Sequence, residues 1–329
     1  MKAAGARVGT VGTVGMVGLG IMGSAMSANL VKAGFAVVGY DVVPAARARL
    51  RRAGGTPARS AADVARRCPV VVTSLPSAAA LAEVADAIAA AETDGRRGLI
   101  VVETSTLPLA DKHAAQRRLA RAAMVLLDCP LSGTGAQART RDLVVFASGP
   151  KAAVARCRSV FDGFARAQHW LGAFGNGSKM KFVANLLVAI HNVSAGEAFT
   201  LARKAGLDPA LVYRVVGDGA GGSRMFSVRG PMMVKNDYSD ATMKIEVWQK
   251  DMKIIAEFAA ALDCPTPLFA ASAPIYAAAM ASGHAREDTA AVCAVLGAMA
   301  GIEQPARRRK HTPRTPRTPR TPPTPRTKR

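Results

Sequence analysis

The chain has 329 residues, half of them hydrophobic and a fifth charged, with a net charge of +21. This length accommodates about two domains with a sizeable core, and the composition excludes a disordered, fibrous or collagen-like chain. Ten basic groups and no acid fall in residues 307–329, so 34 basic face 23 acidic groups in residues 1–306, a balance of +11, and charge alone does not mark the body as a nucleic-acid binder.

From the amino terminus, Val14–Val17, Ala36–Tyr40, Val70–Ser74, Ile100–Glu103 and Val125–Asp128 are short apolar runs that read as strands. Between them, Ile21–Lys32, Ser60–Arg67, Ser77–Ala91 and Leu109–Ala122 read as helices, with Ser60 and Ser77 as N-caps. Nearly all-apolar strands separated by helices imply a parallel sheet covered on both faces. Leu143–Ser148 and His169–Leu171 add further strands. After Gly175-Asn176-Gly177 the pattern changes. Ser178–Ala205 is one long helical stretch, stopped by Gly206, and Asp208-Pro209 starts another; the segments 209–217, 241–262, 267–282 and 287–300 are helical too. The expected organisation is an α/β domain over residues 1–173 and a mostly all-α domain over 174–304, joined through the long helix. A basic Thr-Pro-Arg tail over 305–329 has no large apolar residues to offset its ordering entropy and is expected to be disordered.

The five cysteines are widely spaced and form no CxxC, which speaks against a disulfide framework or a zinc site and fits a reducing compartment. The histidines show no metal-ligand spacing, so no metal is expected. No uncharged apolar run reaches the roughly 18 residues of a membrane span, and glycines break the amino-terminal stretch where a signal peptide would lie. The expected location is cytoplasmic.

Gly18-Leu19-Gly20-Ile21-Met22-Gly23 is a GxGxxG between the first strand and the first helix. Gly18 allows the tight turn, Gly20 lets a pyrophosphate approach the backbone, and Gly23 permits close helix–sheet packing. The helix N-terminus offers amide donors to phosphates. The second strand ends at Asp41, where a carboxylate accepts both adenosine ribose hydroxyls and repels a 2′-phosphate; the next arginine, Arg47, is six residues further on. NAD is therefore expected in preference to NADP.

Four segments together resemble the β-hydroxyacid dehydrogenases, the family related to 3-hydroxyisobutyrate dehydrogenase. Val17–Gly23 is similar to the family's amino-terminal signature. Asp128-Cys129-Pro130-Leu131-Ser132-Gly133-Thr134-Gly135 is similar to its substrate-binding segment. Gly175-x-Gly177-x-x-x-Lys181-x-x-x-Asn185 is similar to its catalytic motif, and Lys250-Asp251 to its Lys-Asp pair. Gly221–Phe226 leans toward the subgroup similar to L-threonate dehydrogenases. The resemblance implies a Rossmann dinucleotide-binding domain followed by an all-α domain, with the active site in the cleft, and oxidation of a β-hydroxy acid or reduction of the matching semialdehyde. It places Leu75 and Pro76 along the cofactor, Ser105 or Thr106 near the nicotinamide and its ribose, and Lys250 on the nicotinamide side. It also implies a homodimer or homotetramer. Two departures stand out: Thr134 occupies the position of a second glycine, which narrows the carboxylate pocket, and Ala184 replaces the first of an Asn-Asn pair.

The chemistry asks for a group that takes a hydroxyl proton as hydride leaves. Lys181 suits this, because it is expected in the first turn of its helix. There the macrodipole, neighbouring Lys179 and a cationic nicotinamide all lower its pKa. Asn185, one turn later on the same face, is placed to hold the substrate hydroxyl or orient the amine. Ser132, Gly133 and Thr134 follow a strand end and offer backbone amides to a substrate carboxylate. Two other readings stay open: an NADP-dependent semialdehyde or glyoxylate reductase on the same scaffold, and a dehydrogenase-like scaffold whose basic tail binds nucleic-acid phosphates.

Overall fold

The computed structural model describes residues 12–91 and 98–302. Six strands, β1 (Thr13–Val17), β2 (Ala36–Tyr40), β3 (Thr56–Pro57), β4 (Val70–Thr73), β5 (Ile100–Glu103) and β6 (Val125–Asp128), form one parallel sheet in the order β3-β2-β1-β4-β5-β6. The crossovers run through α1 (Ile21–Lys32), α2 (Pro44–Arg52), α3 (Ala61–Arg67), α4 (Ala78–Ala89) and α5 (Leu109–Arg121).

Alternation along the strands decides which core each side chain joins. Val14, Met16, Val37, Val70, Val72, Ile100 and Val102 pack on one face with Met26 and Leu30 of α1. Val17, Val38, Val71, Val101 and Leu126 pack on the other with Val64, Leu81, Ile88 and Leu119 from α3, α4 and α5. Both faces are thus closed, which is why the strands are apolar throughout. The strand order reverses beside β1, and the connections that leave the carboxyl ends of β1 and β4 lead to helices on opposite faces, α1 on one and α4 on the other, which leaves a crevice between them, the usual ligand position in such sheets. Gly18 N–H donates to the Tyr40 carbonyl and Ser74 N–H to the Val17 carbonyl, each at 2.9 Å, so the crevice walls are tied together.

The chain then adds β7 (Leu131–Ser132), α6 (Gly135–Arg139), β8 (Val144–Ala147), α7 (Lys151–Arg156), α8 (Arg158–Phe164) and β9 (Ala167–Trp170). In this smaller sheet β8 is the middle strand, antiparallel to β7 and parallel to β9, and an antiparallel bridge between Asp128 and Ser148 joins it to the end of β6. From Asn176 onward the described residues form helices: α9 (Asn176–Lys204), α10 (Pro209–Asp218), α11 (Arg224–Lys235), α12 (Ile245–Ala260), α13 (Pro267–Ala281) and, after a 3₁₀ turn at Thr289–Ala291, α14 (Val292–Met299). α9 is long and apolar enough to cross a membrane by length and composition, which the sequence reading did not anticipate. Here it is the axis of the helical domain, with α10 to α14 packed around it and Phe182, Phe199, Trp248, Ile255 and Tyr276 in the shared core. Asn192, buried on α9, donates to the Tyr276 hydroxyl (3.1 Å) and the Thr289 carbonyl (2.6 Å), fixing the rotation of that axis.

The Rossmann-like parallel sheet followed by helices is the architecture expected from the sequence. Ser60 and Ser77 cap α3 and α4 by accepting from Asp63 N–H and Ala80 N–H. Several elements were not expected: α2, α6, α7, α8, α11 and the two-residue strands β3 and β7. α11 escaped notice because Gly230-Pro231 sits inside it, a pair that ordinarily breaks a helix. The buried Arg229–Asp288 ion pair (2.9 Å) and the packing of Phe226 and Met233 hold that helix in place. The basic tail and its expected disorder lie outside the described residues.

Candidate active site

The crevice is lined first by backbone. Gly18 has φ +89°, and a Cβ there would stand 2.1 Å from the Ser74 carbonyl; at Gly23 a Cβ would stand 1.9 Å from the Gly18 carbonyl. Only glycine lets β1, the loop and α1 approach this closely. At Gly20, by contrast, a Cβ would meet nothing within 4 Å, so the outer side of the loop is open. Gly20 is also the N-cap of α1 and makes no side-chain cap bond, so the first-turn amides of Ile21 and Met22 remain free for an anion. Open space above Gly20 and uncapped amides fit a dinucleotide pyrophosphate.

Asp41 stands at the end of β2. Its Oδ2 accepts Leu19 N–H at 2.6 Å and its Oδ1 accepts Val43 N–H at 2.8 Å. A carboxylate offers about four lone-pair sites, so the group held against the glycine loop still has acceptors for ribose hydroxyls. Arg47, set aside in the sequence as too distant, is brought back by α2. Its guanidinium donates to the Asp41 carbonyl and lies 5.7 Å from the centre of the Tyr40 ring.

On the other wall, half-buried Leu75 and exposed Pro76 follow β4, and buried Ser105 and half-buried Thr106 follow β5 at the same crevice edge. Leu75 N–H donates to Ser105 Oγ at 2.7 Å, which joins the two loops. Thr106 then meets the helical domain, its carbonyl accepting from Lys250 Nζ. Lys250 also lies 3.2 Å from Asp251 Oδ1, and Asp251 Oδ2 accepts Asn185 Nδ2–H at 2.9 Å. Thr106, Lys250, Asp251 and Asn185 therefore form one chain of contacts across the cleft.

Lys181 lies one turn before Asn185 and within the electrostatic reach of Asp251 and Lys250. Loss of solvent around its amine lowers its pKa to about 8; the Asp251 carboxylate opposes the fall and Lys250 adds to it. The direction matches the sequence expectation and the cause corrects it. α9 begins at Asn176, which puts Lys181 in the second turn, where the macrodipole has largely faded. Lys179 is exposed, and the acting cation is Lys250.

The Gly-x-Gly before Lys181 has a physical reason. Gly175 has φ +95°, and a Cβ on Gly177 would stand 2.4 Å from the Phe146 carbonyl and 2.5 Å from the Asp128 carbonyl. The helix bearing Lys181 is thereby seated on the ends of β6 and β8, and it also touches β7, which holds Ser132. Gly133 has φ +133°. Thr134 is turned to other work: it caps α6 through a capping box with Gln137, whose Nε2 donates to Asp142 at 3.0 Å. α6 in turn packs on α1, with a Cβ at Gly135 only 2.4 Å from Ile21 Cγ2. The Ser132–Thr134 segment is thus anchored to the helix that opens the glycine loop.

Sequence reasoning missed Asp251 as the hub between Lys181, Asn185 and Lys250. It also missed Glu103 and Lys112, and read Asp128 only as the head of the substrate-binding segment, whereas the three are buried together behind the site. Lys112 gives no signal of its own, since it sits in a helix with four other basic or imidazole groups. No cluster of three His, Cys, Asp or Glu side chains arranged for a metal occurs among the described residues.

Two family models match the chain. Residues 13–172 match the NAD binding domain of 6-phosphogluconate dehydrogenase, and residues 175–296 match the NAD-binding domain of NADP-dependent 3-hydroxyisobutyrate dehydrogenase. An L-threonate dehydrogenase of Cupriavidus necator is 34% identical over 290 residues, covering 88% of this chain and 96% of its own. A solved 3-hydroxyisobutyrate dehydrogenase from Salmonella typhimurium is 32% identical, with a TM-score of 0.77, covering 86% of this chain and 99% of its own. The Mycobacterium tuberculosis 3-hydroxyisobutyrate dehydrogenase, solved with L-serine, is 28% identical, with a TM-score of 0.78, covering 87% of this chain and 99% of its own.

Proposed function

The chain belongs to the β-hydroxyacid dehydrogenase family, and we propose that it uses NAD to oxidise a threonate- or 3-hydroxyisobutyrate-like acid, with Lys181 taking the hydroxyl proton. The family makes it an NAD(P)-dependent oxidoreductase acting on the CH–OH group of a hydroxy acid. The observation that supports the finer reading is the lowered pKa of Lys181 inside the Asp251–Lys250–Asn185 cluster.

NAD, when bound, supplies the hydride acceptor. Neutral Lys181 Nζ accepts the hydroxyl proton as the carbinol hydrogen departs with the electron pair of its C–H bond, and a C=O remains. In the reverse direction the ammonium returns the proton. Asn185, fixed through one Nδ2–H by Asp251, has its other Nδ2–H to donate to the substrate hydroxyl oxygen and its carbonyl oxygen to orient the Lys181 amine. Ser132 and Gly133 offer their amides to the substrate carboxylate, beside Thr134, whose own N–H and hydroxyl are taken by Gln137. Leu75 and Pro76 lie along the cofactor, and Ser105, Thr106 and Lys250 border the nicotinamide and its ribose. Gly18 to Gly23 hold the pyrophosphate and Asp41 the adenosine ribose. Lys181→Met tests the assignment. Its kcat is expected to fall by about 10²–10⁴-fold with unchanged dinucleotide affinity, and near-normal turnover with L-threonate or 3-hydroxyisobutyrate removes it.

One observation favours a second reading. Arg47, held beside Asp41, is a cation where a 2′-phosphate would lie, which suits an NADP-dependent semialdehyde reductase. The ratio of kcat/KM for NAD and NADP separates the two. A second copy of the chain is proposed as a partner: Met180, Val183 and Leu187 form an exposed apolar stripe on α9, and light scattering reads the assembly. No disulfide joins any of the five cysteines, which supports a reducing, cytoplasmic location.

A further inference from the structure

Glu103 and Asp128 end the adjacent strands β5 and β6 in direct register, and both carboxylates are fully buried. Two like charges so placed repel each other and have lost their hydration. Lys112, equally buried on α5, resolves this: its Nζ is 2.6 Å from Glu103 Oε2 and donates to Asp128 Oδ1 at 2.7 Å. Desolvation works against the Lys112 charge, yet the two carboxylates outweigh it and hold its pKa above the ordinary lysine value. One net negative charge is left over, and the positive end of α9 faces it.

The remaining bonds of this triad end on segments of the site. On one side, Asp128 Oδ2 accepts Ser178 N–H at 2.7 Å and Oδ1 accepts the Ser178 hydroxyl at 2.8 Å. Ser148 Oγ donates to the Asp128 carbonyl at 3.0 Å and accepts Gly177 N–H at 2.9 Å. On the other side, Glu103 Oε1 accepts Ser105 N–H at 2.8 Å, and Ser105 Oγ accepts Leu75 N–H. Ser178 precedes Lys181 by three residues on the same helix.

We infer that Lys112 is a positioning residue, which through Glu103 and Asp128 holds the nicotinamide-side loops and the helix bearing Lys181 in one register. An apolar trio would close the sheet edge equally well, but it would leave Ser105 N–H and the Ser178 donors without partners, and the first turn of α9 without its anchor. A shift of about 1 Å in a reacting group costs on the order of 10²-fold in rate, so the register matters for turnover more than for binding. The inference rests on the acid/base reading of Lys181.

The test uses the full chain with NAD and either L-threonate or 3-hydroxyisobutyrate, whichever reduces NAD faster. Ser178→Ala cuts the hydroxyl arm and keeps the backbone arm. Its kcat is expected to fall about 10-fold with dinucleotide Kd and substrate KM within about threefold of wild type, and the rising pH limb of oxidation should move up toward the ordinary lysine value. Lys112→Met leaves two unpaired buried carboxylates, so it is compared with Glu103→Gln/Lys112→Met, which keeps one net negative charge and an acceptor for Ser105. The double variant is expected to recover part of the kcat lost in the single one, with the limb still displaced. Wild-type kcat and limb in Ser178→Ala or in the double variant overturn the inference. So does a kcat loss that only tracks the loss of folded protein. If the double variant does not fold, Ser178→Ala decides. A limb that persists in Lys181→Met points instead to failure of the acid/base assignment.

Discussion

The two halves of the chain contribute to the cleft in different materials. The α/β half presents backbone: a glycine loop, first-turn amides and a carboxylate tied down by Leu19 N–H and Val43 N–H. The helical half presents side chains, namely Lys181, Asn185, Lys250 and Asp251, whose properties depend on what surrounds them. A binding surface of main-chain donors tolerates few side chains, whereas a catalytic cluster needs particular ones tuned by burial. Mutations in the glycine loop and at its carboxylate should therefore act on cofactor binding, and mutations in the helical cluster on turnover.

The largest separation is expected from Gly23→Ala. Its Cβ would press on the Gly18 carbonyl from 1.9 Å, so α1 must move off the loop. Calorimetry should show dinucleotide affinity falling by at least about 100-fold; affinity within threefold of wild type would mean that the loop is not the phosphate cradle. Asp251→Asn works from the other half. Asp251 holds the proton on Lys181 against burial and Lys250, so its loss should move the pH limb below about 8. Turnover should fall roughly 10- to 100-fold through looser placement of Asn185, with dinucleotide affinity unchanged. A limb that moved upward would contradict the electrostatics described for Lys181.

Asp41→Ser should shift the NADP-to-NAD ratio of kcat/KM upward by about 10- to 100-fold, because Arg47 is already in place and needs no partner introduced. An unchanged ratio would show that neither group faces the ribose. Thr134→Gly is expected to have the smallest effect. Loss of the capping box should lower stability by only a few tenths of a kcal/mol in a thermal melt, because glycine is itself tolerated at an N-cap, with KM changing by less than about tenfold. A large loss of kcat would instead place Thr134 against the reacting atoms.

The same contrast explains what could be read from the sequence. Gly18, Gly20 and Gly23 are legible because a backbone site is written as a spacing of glycines beside a strand. Asp41 is legible by position, but Arg47 is not, since its approach depends on α2, which Pro44 and a run of alanine and arginine conceal. Lys181 and Asn185 are legible through their motif, while the cause of the Lys181 shift is not. That cause lies in Asp251 and Lys250, about seventy residues away in sequence and adjacent only after α12 packs on α9. Lys112 is the extreme case: an ordinary lysine in a basic helix, distinguished only by the two carboxylates that β5 and β6 bring beside it.

The most direct test of the account is the pH dependence of kcat/KM for the hydroxy acid, measured for the wild type, Lys181→Met and Lys179→Met. Oxidation needs Lys181 neutral, so the wild-type rate should rise with pH through about 8 and then level off, and the reverse reduction should fall over the same range. Lys179→Met, exposed on the helix surface, should keep that limb and most of the rate, while Lys181→Met should lose both. A limb near 8 that survives in Lys181→Met, or that disappears equally in both variants, would contradict the assignment of Lys181 as the acid/base group.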